Sequence, residues 1–165
     1  MLETQRLMIR QGNEKDVEDI YLFRNTEFVL KYNCMEIADK ASILKEISNS
    51  LVLYEKNINQ AIGVISIEND TLRYGVKSKC LSYYLNENYA RQGYMYEALT
   101  LVVKELFELG CDILSARVFV GNDASKKLLE KLGFVCEGKL TYAVKGYQGI
   151  IYDDQLFSLI KEKQG

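Results

Sequence analysis

Apolar positions along this chain recur with two periods, and the switches between them divide it into elements. Leu7-Met8-Ile9-Arg10 reads as a short first strand. Asn13-Glu14-Lys15-Asp16 then opens a helix whose apolar residues Val17, Ile20, Tyr21 and Phe23 follow helical spacing. Ile43, Leu44, Ile47, Leu51 and Tyr54 form a single stripe, which predicts a second helical region over about 40–55. Asn57 to Asn59 is a turn. Strands follow at Ala61–Ile67, Leu72–Val76 and Leu81–Leu85, separated by the polar stretches Asn69-Asp70 and Lys77-Ser78-Lys79.

The clearest helix runs from Tyr94 to Leu109. Met95, Ala98, Leu99, Val102, Val103 and Leu106 give it a continuous apolar stripe, and Gly110 closes it. Ile113–Val120 is apolar with little alternation, as a central strand covered on both faces should be. A short helix lies between the capping residue Asn122 and Gly133, and two longer strands, Val135–Val144 and Ile150–Ile160, meet at Gly146-Tyr147-Gln148-Gly149. The strand-helix-strand run from Leu81 to Val120 implies one parallel pair in a sheet whose other connections are short and antiparallel. The predicted class is α+β.

Composition narrows the function. With 165 residues, 48% apolar and 27% charged, the chain fits one globular domain spanning 1–165. A net charge of −2 with both signs interspersed leaves no electrostatic footprint for nucleic acid. The opening residues lack the apolar core of a signal peptide and no run is long enough for a membrane span, so a cytoplasmic location is expected. Cys34, Cys80, Cys111 and Cys136 form no Cys-x-x-Cys pair and read as reduced core residues. Without any histidine the usual zinc sites and His-based triads are excluded, and no metal is expected.

Two places carry candidate chemistry. At Tyr89-Ala90-Arg91-Gln92-Gly93-Tyr94-Met95 a glycine leads out of a strand into a helix. The free amides and positive dipole end of such a helix suit a phosphate, with Arg91 as a nearby cation. In the Asn122 helix, Ser125 lies on the face shared by Leu128, Leu129 and Leu132, where a hydroxyl needs a partner or a task. Taken singly, Gly93 serves equally in a tight turn, Asn122 as a helix cap, and Ser125 as a hydroxyl bonded to a nearby carbonyl.

Taken together and in order, these segments resemble the GNAT superfamily of N-acetyltransferases, in the RimJ/RimL-like branch that acetylates N-termini of ribosomal proteins. The matching segments are Leu2-Glu3-Thr4-Gln5-Arg6-Leu7, Ile62-Gly63-Val64-Ile65, Leu81-Ser82-Tyr83-Tyr84-Leu85 and Gln92-Gly93-Tyr94-Met95-Tyr96-Glu97-Ala98-Leu99. The spaced set Asn122, Ser125, Leu129, Gly133 and Phe134, and the closing Tyr152 to Leu159, complete it. The resemblance implies a twisted, mostly antiparallel sheet that splays between Leu81–Leu85 and Ile113–Val120, with acetyl-CoA in the gap. Backbone amides of Gln92, Gly93, Tyr94, Met95 and Tyr96 would meet the pyrophosphate. The strand at Tyr84, Leu85 and Asn86 would pair with the pantetheine arm, to which Asn122 would bond, and Ser125 would lie near the sulfur.

Two departures from the family pattern bear on mechanism. Leu129 stands where many members carry a general-acid tyrosine, which makes Ser125 the better thiolate protonator. Cys80 stands where some relatives place a glutamate base, which leaves Glu68 and Glu36 as candidate carboxylates. An α-amine is roughly one-seventh neutral at pH 7 and a lysine amine about one part in 2,500, so an N-terminal acceptor needs little base catalysis. The expected activity is acetyl-CoA-dependent transfer to a primary amine, by direct attack in a ternary complex, with Ser125, Asn122 and Glu68 in the catalytic set. Acceptors of two kinds fit, a protein N-terminus or a small amine such as a polyamine or antibiotic. A non-catalytic acyl-CoA-binding module is the alternative from another class. No nucleic-acid or membrane partner is implied, and the chain is read as a monomer or homodimer.

Overall fold

The computed structural model describes residues 1–162, so the last three residues of the expected domain lie outside it. In chain order the elements are β1 (Leu2–Glu3), β2 (Leu7–Gln11), α1 (Val17–Arg24), α2 (Glu27–Leu30), α3 (Lys40–Ile47), β3 (Leu51–Glu55) and β4 (Gln60–Asn69). There follow β5 (Ser78–Leu85), α4 (Tyr94–Glu108), β6 (Ile113–Phe119), α5 (Asp123–Lys131), β7 (Val135–Lys145) and β8 (Ile151–Ile160). Eight strands form one sheet in the order β1-β2-β3-β4-β5-β6-β8-β7. Among the paired strands only β5 and β6 run parallel, and the helix α4 carries the chain across between them.

Helices cover both faces. The stripe of α4 packs with Leu53, Ile65, Leu81, Leu114, Ala116 and Val118 from one face of the sheet, and Leu129 of α5 joins that cluster. On the other face α1 and α3 set Val17, Ile20, Ile43 and Ile47 against Val52, Ala61, Val64 and Tyr84. A side chain such as Leu99, 0% exposed, contributes about 1.5–3 kcal/mol by leaving water.

The parallel pairing is short. It runs from Ser78 opposite Ile113 to Leu81 opposite Ala116 and stops. Beyond it Ser82 to Leu85 stay paired with β4, while Arg117 to Phe119 stay paired with β8. The sheet therefore parts into two halves at the predicted place. Asn86 N–H donates to Ile62 O of β4, so in the antiparallel alternation Tyr83 and Leu85 turn their N–H groups the other way, into the gap.

Four expectations need correction. The stripe over 40–55 is not one helix: α3 ends at Ile47, and Leu51 and Tyr54 belong to β3. The serine hydroxyls of Ser48 and Ser50 donate to Leu44 O and Glu46 O, ending the helix and turning the chain. Leu72–Val76 is a loop and not a strand, because Asp70 accepts from Leu72 N–H and pairs with Arg73, and Tyr74 is left 91% exposed. Tyr21 is exposed rather than facing the core, since α1 buries Val17, Ile20, Phe23 and Arg24. The cysteines are not core residues: Cys34 and Cys136 are exposed, and Cys80 and Cys111 only partly buried. Among the described residues no helix is long and apolar enough to cross a membrane.

Candidate active site

The turn before α4 uses two residues in the left-handed region, Arg91 at φ 60° and Gly93 at φ 81°. Gly93 is the N-cap and makes no side-chain bond to the first amides of α4, which are left for a ligand. The turn is braced from behind by the opening residues of the chain. Arg6 donates from Nη1 to Gln92 O (3.0 Å) and from Nε to Glu97 Oε2 (2.7 Å). Its guanidinium lies 4.0 Å from the centre of the Tyr94 ring. The Thr4 hydroxyl and the Arg6 N–H also bond Glu97. Burial alone would raise the Glu97 carboxyl, but these donors outweigh it and hold it below its ordinary range. A carboxylate in the first turn of a helix built to face an anion would otherwise repel that anion. Arg6 neutralises it.

Below this turn a cavity of about 610 Å³ opens between the parted strands. Arg91, Gly93, Tyr94, Met95 and Tyr96 line one end. Tyr84 and Leu85 line its β5 side, and Asn122 and Ser125 its α5 side. Two of the expected binding residues do not line it: Asn86 caps a short 3₁₀ turn by accepting from Asn88 N–H, and the Gln92 side chain donates to Asn88 O. Asn122 Oδ1 accepts from Ser125 N–H (3.3 Å), the helix cap expected from sequence. Open amides at one end and a strand edge bare of partners along the side fit a long, anionic, amide-bearing ligand.

Ser125 meets a partner that sequence reasoning did not pick out. Its hydroxyl lies 2.6 Å from the Tyr83 hydroxyl. Burial pushes the Tyr83 phenol up to about 12, against the opposing bond from Ser125, so near neutral pH it stays protonated and able to donate. The family's tyrosine position is Leu129, fully buried in the core. In this chain a phenol reaches the Ser125 hydroxyl from β5. The signal was present in Leu81-Ser82-Tyr83-Tyr84-Leu85, where Tyr83 holds the tyrosine of the family's Ile-Gly-Tyr strand.

On the other face of the sheet lies a second cavity of about 1000 Å³, which shares Leu81 to Tyr84 and Arg117 with the first. Arg24 pairs with Glu46 (2.7 Å), and Glu46 accepts from the Tyr84 hydroxyl. Burial and the neighbouring Glu46 push the Tyr84 phenol far up, so it acts only as a donor. Glu68 lies exposed near the end of β4, across from Cys80 in register, and both line this cavity. Burial raises the Cys80 thiol, although a bond from Ser115 opposes it, which disfavours a thiolate there. Glu36 and Asp154 complete the acidic walls. The two cavities give one ligand access from each face of a parted sheet, with the Tyr83–Ser125 pair at the seam.

A sheet opened at its single parallel pair, with a left-handed glycine turn leading a helix into the opening, defines an acetyltransferase fold. The chain belongs to the GNAT family: the family model described as Acetyltransferase (GNAT) domain matches residues 6–135. It is an N-acetyltransferase. It is similar to the uncharacterised N-acetyltransferase YoaA of Bacillus subtilis (strain 168), at 29% identity over 99% of this chain and 98% of that one. The ribosomal-protein-S5-alanine acetyltransferase of Vibrio fischeri superposes with a TM-score of 0.85 at 21% identity, covering 99% of this chain and 98% of that one. RimL, a ribosomal L7/L12 α-N-protein acetyltransferase solved with coenzyme A, superposes with a TM-score of 0.82 at 17% identity, covering 95% of each chain. At these identities the two solved structures establish the fold.

Proposed function

We propose that this chain transfers the acetyl group of acetyl-CoA to a primary amine, with a protein N-terminal α-amine as the preferred acceptor, both substrates being bound together. The observation that carries the reading is the seam, where the cavity beneath the Gly93 turn meets the cavity on the opposite face beside Tyr83 and Ser125. The amides at the start of α4, with Arg91, would hold the pyrophosphate, and the bare edge of β5 with Asn122 would take the amide-bearing arm. Acetyl-CoA supplies an activated acetyl carbonyl. The N–H groups of Tyr83 and Leu85 that face the gap are available to a developing oxyanion. The protonated Tyr83 phenol, acting through Ser125, can return a proton to a departing thiolate. The solved RimL, which carries coenzyme A on the same fold, supports the cosubstrate.

A small polycation is the second reading, favoured by Glu36 and Glu68 on the wall of the acceptor-side cavity. The test is thiol release from acetyl-CoA with peptides bearing a free N-terminal alanine, with spermidine and with aminoglycosides. Turnover that is fastest with the peptide is expected. Coenzyme A binding without turnover of any amine would make the chain a binding module and overturn the reading.

A further inference from the structure

Asp154 sits on β8 opposite Phe119 of β6 and Leu140 of β7, and it lines the acceptor-side cavity. It is 1% exposed. Its Oδ2 accepts from Arg117 Nε, a side chain that reaches both cavities. Its Oδ1 has no partner, and among the described residues it is the one buried side-chain nitrogen or oxygen in that state. A desolvated carboxylate oxygen without a donor is strongly unfavourable, and one held directly behind a cavity wall is satisfied when a donor from the cavity side reaches it, directly or through one water.

We propose that Asp154 Oδ1 receives the ammonium group of the acceptor and takes its proton. The inference rests on the acetyl-transfer reading above and deepens it, naming a carboxylate to act in place of the glutamate that some relatives carry where this chain has Cys80. The acceptor ammonium gives one proton to Asp154, which later passes to solvent. The amine nitrogen then forms its bond to the acetyl carbon as the carbon–sulfur bond breaks. The nitrogen sheds a second proton, and the thiolate gains one from the Tyr83–Ser125 pair, which is re-protonated. The sum is one amide, one thiol and one proton released.

Charges of both signs face Asp154 in this cavity, with Glu36 and Asp39 on the loop that leads into α3. Arg117 faces it from β6, and Lys145 from β7 lines the same cavity. Glu46 with Arg24 stands on the helical wall, and Glu68 with Cys80 on the sheet. Burial raises the Asp154 carboxyl against the pull of Arg117 and of the neighbouring Gln155 N–H, the direction that favours taking up a proton. Asp153, its neighbour in the strand, is committed elsewhere by accepting from Tyr142 N–H (2.7 Å).

The experiment compares wild type with Asp154→Asn, using an alanyl peptide and spermidine as acceptors. At pH 7 the substitution should lower kcat/KM for the acceptor about 10²-fold, the usual scale for positioned acid–base catalysis. The variant should recover about tenfold per pH unit as the amine deprotonates unaided. The KM for acetyl-CoA and the rise in Tm on adding coenzyme A should not change. Equal kcat/KM in both proteins across the pH range, with only a lower Tm in the variant, would make Asp154 a structural counter-ion to Arg117 and overturn the inference alone. If the variant does not fold, the wild-type profile decides. An acid limb set by a group above the ordinary carboxylate range supports the role, and a profile that follows only the acceptor's own amine overturns it. A wild type that binds coenzyme A and acetylates neither acceptor removes the proposed function, and this inference with it.

Discussion

The Tyr83 and Ser125 hydroxyls lie 2.6 Å apart although 42 positions separate them in sequence, tying β5 to α5 at the seam of the two cavities. Ser125→Ala removes more than a proton donor, because it leaves a half-buried phenol without its protein partner, at a cost of about 1 kcal/mol. Tyr83→Phe combined with Ser125→Ala takes both polar groups away and should regain most of that stability. Turnover should not follow. The kcat of Ser125→Ala should fall about 10²-fold and stay low in the double variant. Urea melts and steady-state rates on the same three samples check this, and normal kcat in Ser125→Ala would remove the pair from the mechanism.

Arg6 and Glu97 hold the glycine turn without lining the channel it serves. Arg6→Ala should therefore raise the KM for acetyl-CoA about tenfold and leave kcat nearly unchanged, the pattern of lost uniform binding. The pH dependence has a definite sign. Glu97 has its folded-state value lowered, so its contribution to stability is full above the ordinary glutamate value and disappears as pH falls through the lowered one. Glu97→Gln should consequently show a smaller loss of stability between about pH 5 and pH 3 than wild type, measured by denaturant melts.

Asn122 has two tasks that separate cleanly. Its cap to Ser125 N–H accounts for about 1 kcal/mol, which Asn122→Ala should lose. Asn122→Asp keeps a capping oxygen and should restore stability, while the lost amide N–H₂ keeps the KM for acetyl-CoA high. Recovery of both together would confine Asn122 to a structural role.

How much of this could be read from the sequence depended on whether local pattern and tertiary context agreed. The helix at Tyr94–Glu108, the cap at Asn122 and the long strands at either side of Gly146 were legible because each carries its own periodicity or end signal. Leu51 and Tyr54 were misread because they continue the three- and four-residue spacing of Ile43 and Ile47, and only the serine bonds at Ser48 and Ser50 break it. Leu72, Tyr74 and Val76 alternate like a strand, yet no neighbouring strand pairs with them. Motif order picks out the turn glycine, Asn122 and Ser125, and the fold brings all three to one cavity. It does not pick out Tyr83, since a hydroxyl pairing across the sheet exists only after folding. The adjacent acids Asp153 and Asp154 read as an attraction for a cationic substrate but face opposite sides of the strand, and only the fold shows that Asp154 is the one beside the cavity.

The central claim, that acetyl-CoA lies in the opening between β5 and β6, is tested most directly by amide hydrogen exchange with and without the ligand. Binding should slow exchange in Ser82–Asn86, in Arg91–Tyr96 and around Gly121–Ser125, with little change in β1 to β3. Protection confined to other segments, or none at ligand concentrations that raise Tm, would contradict it.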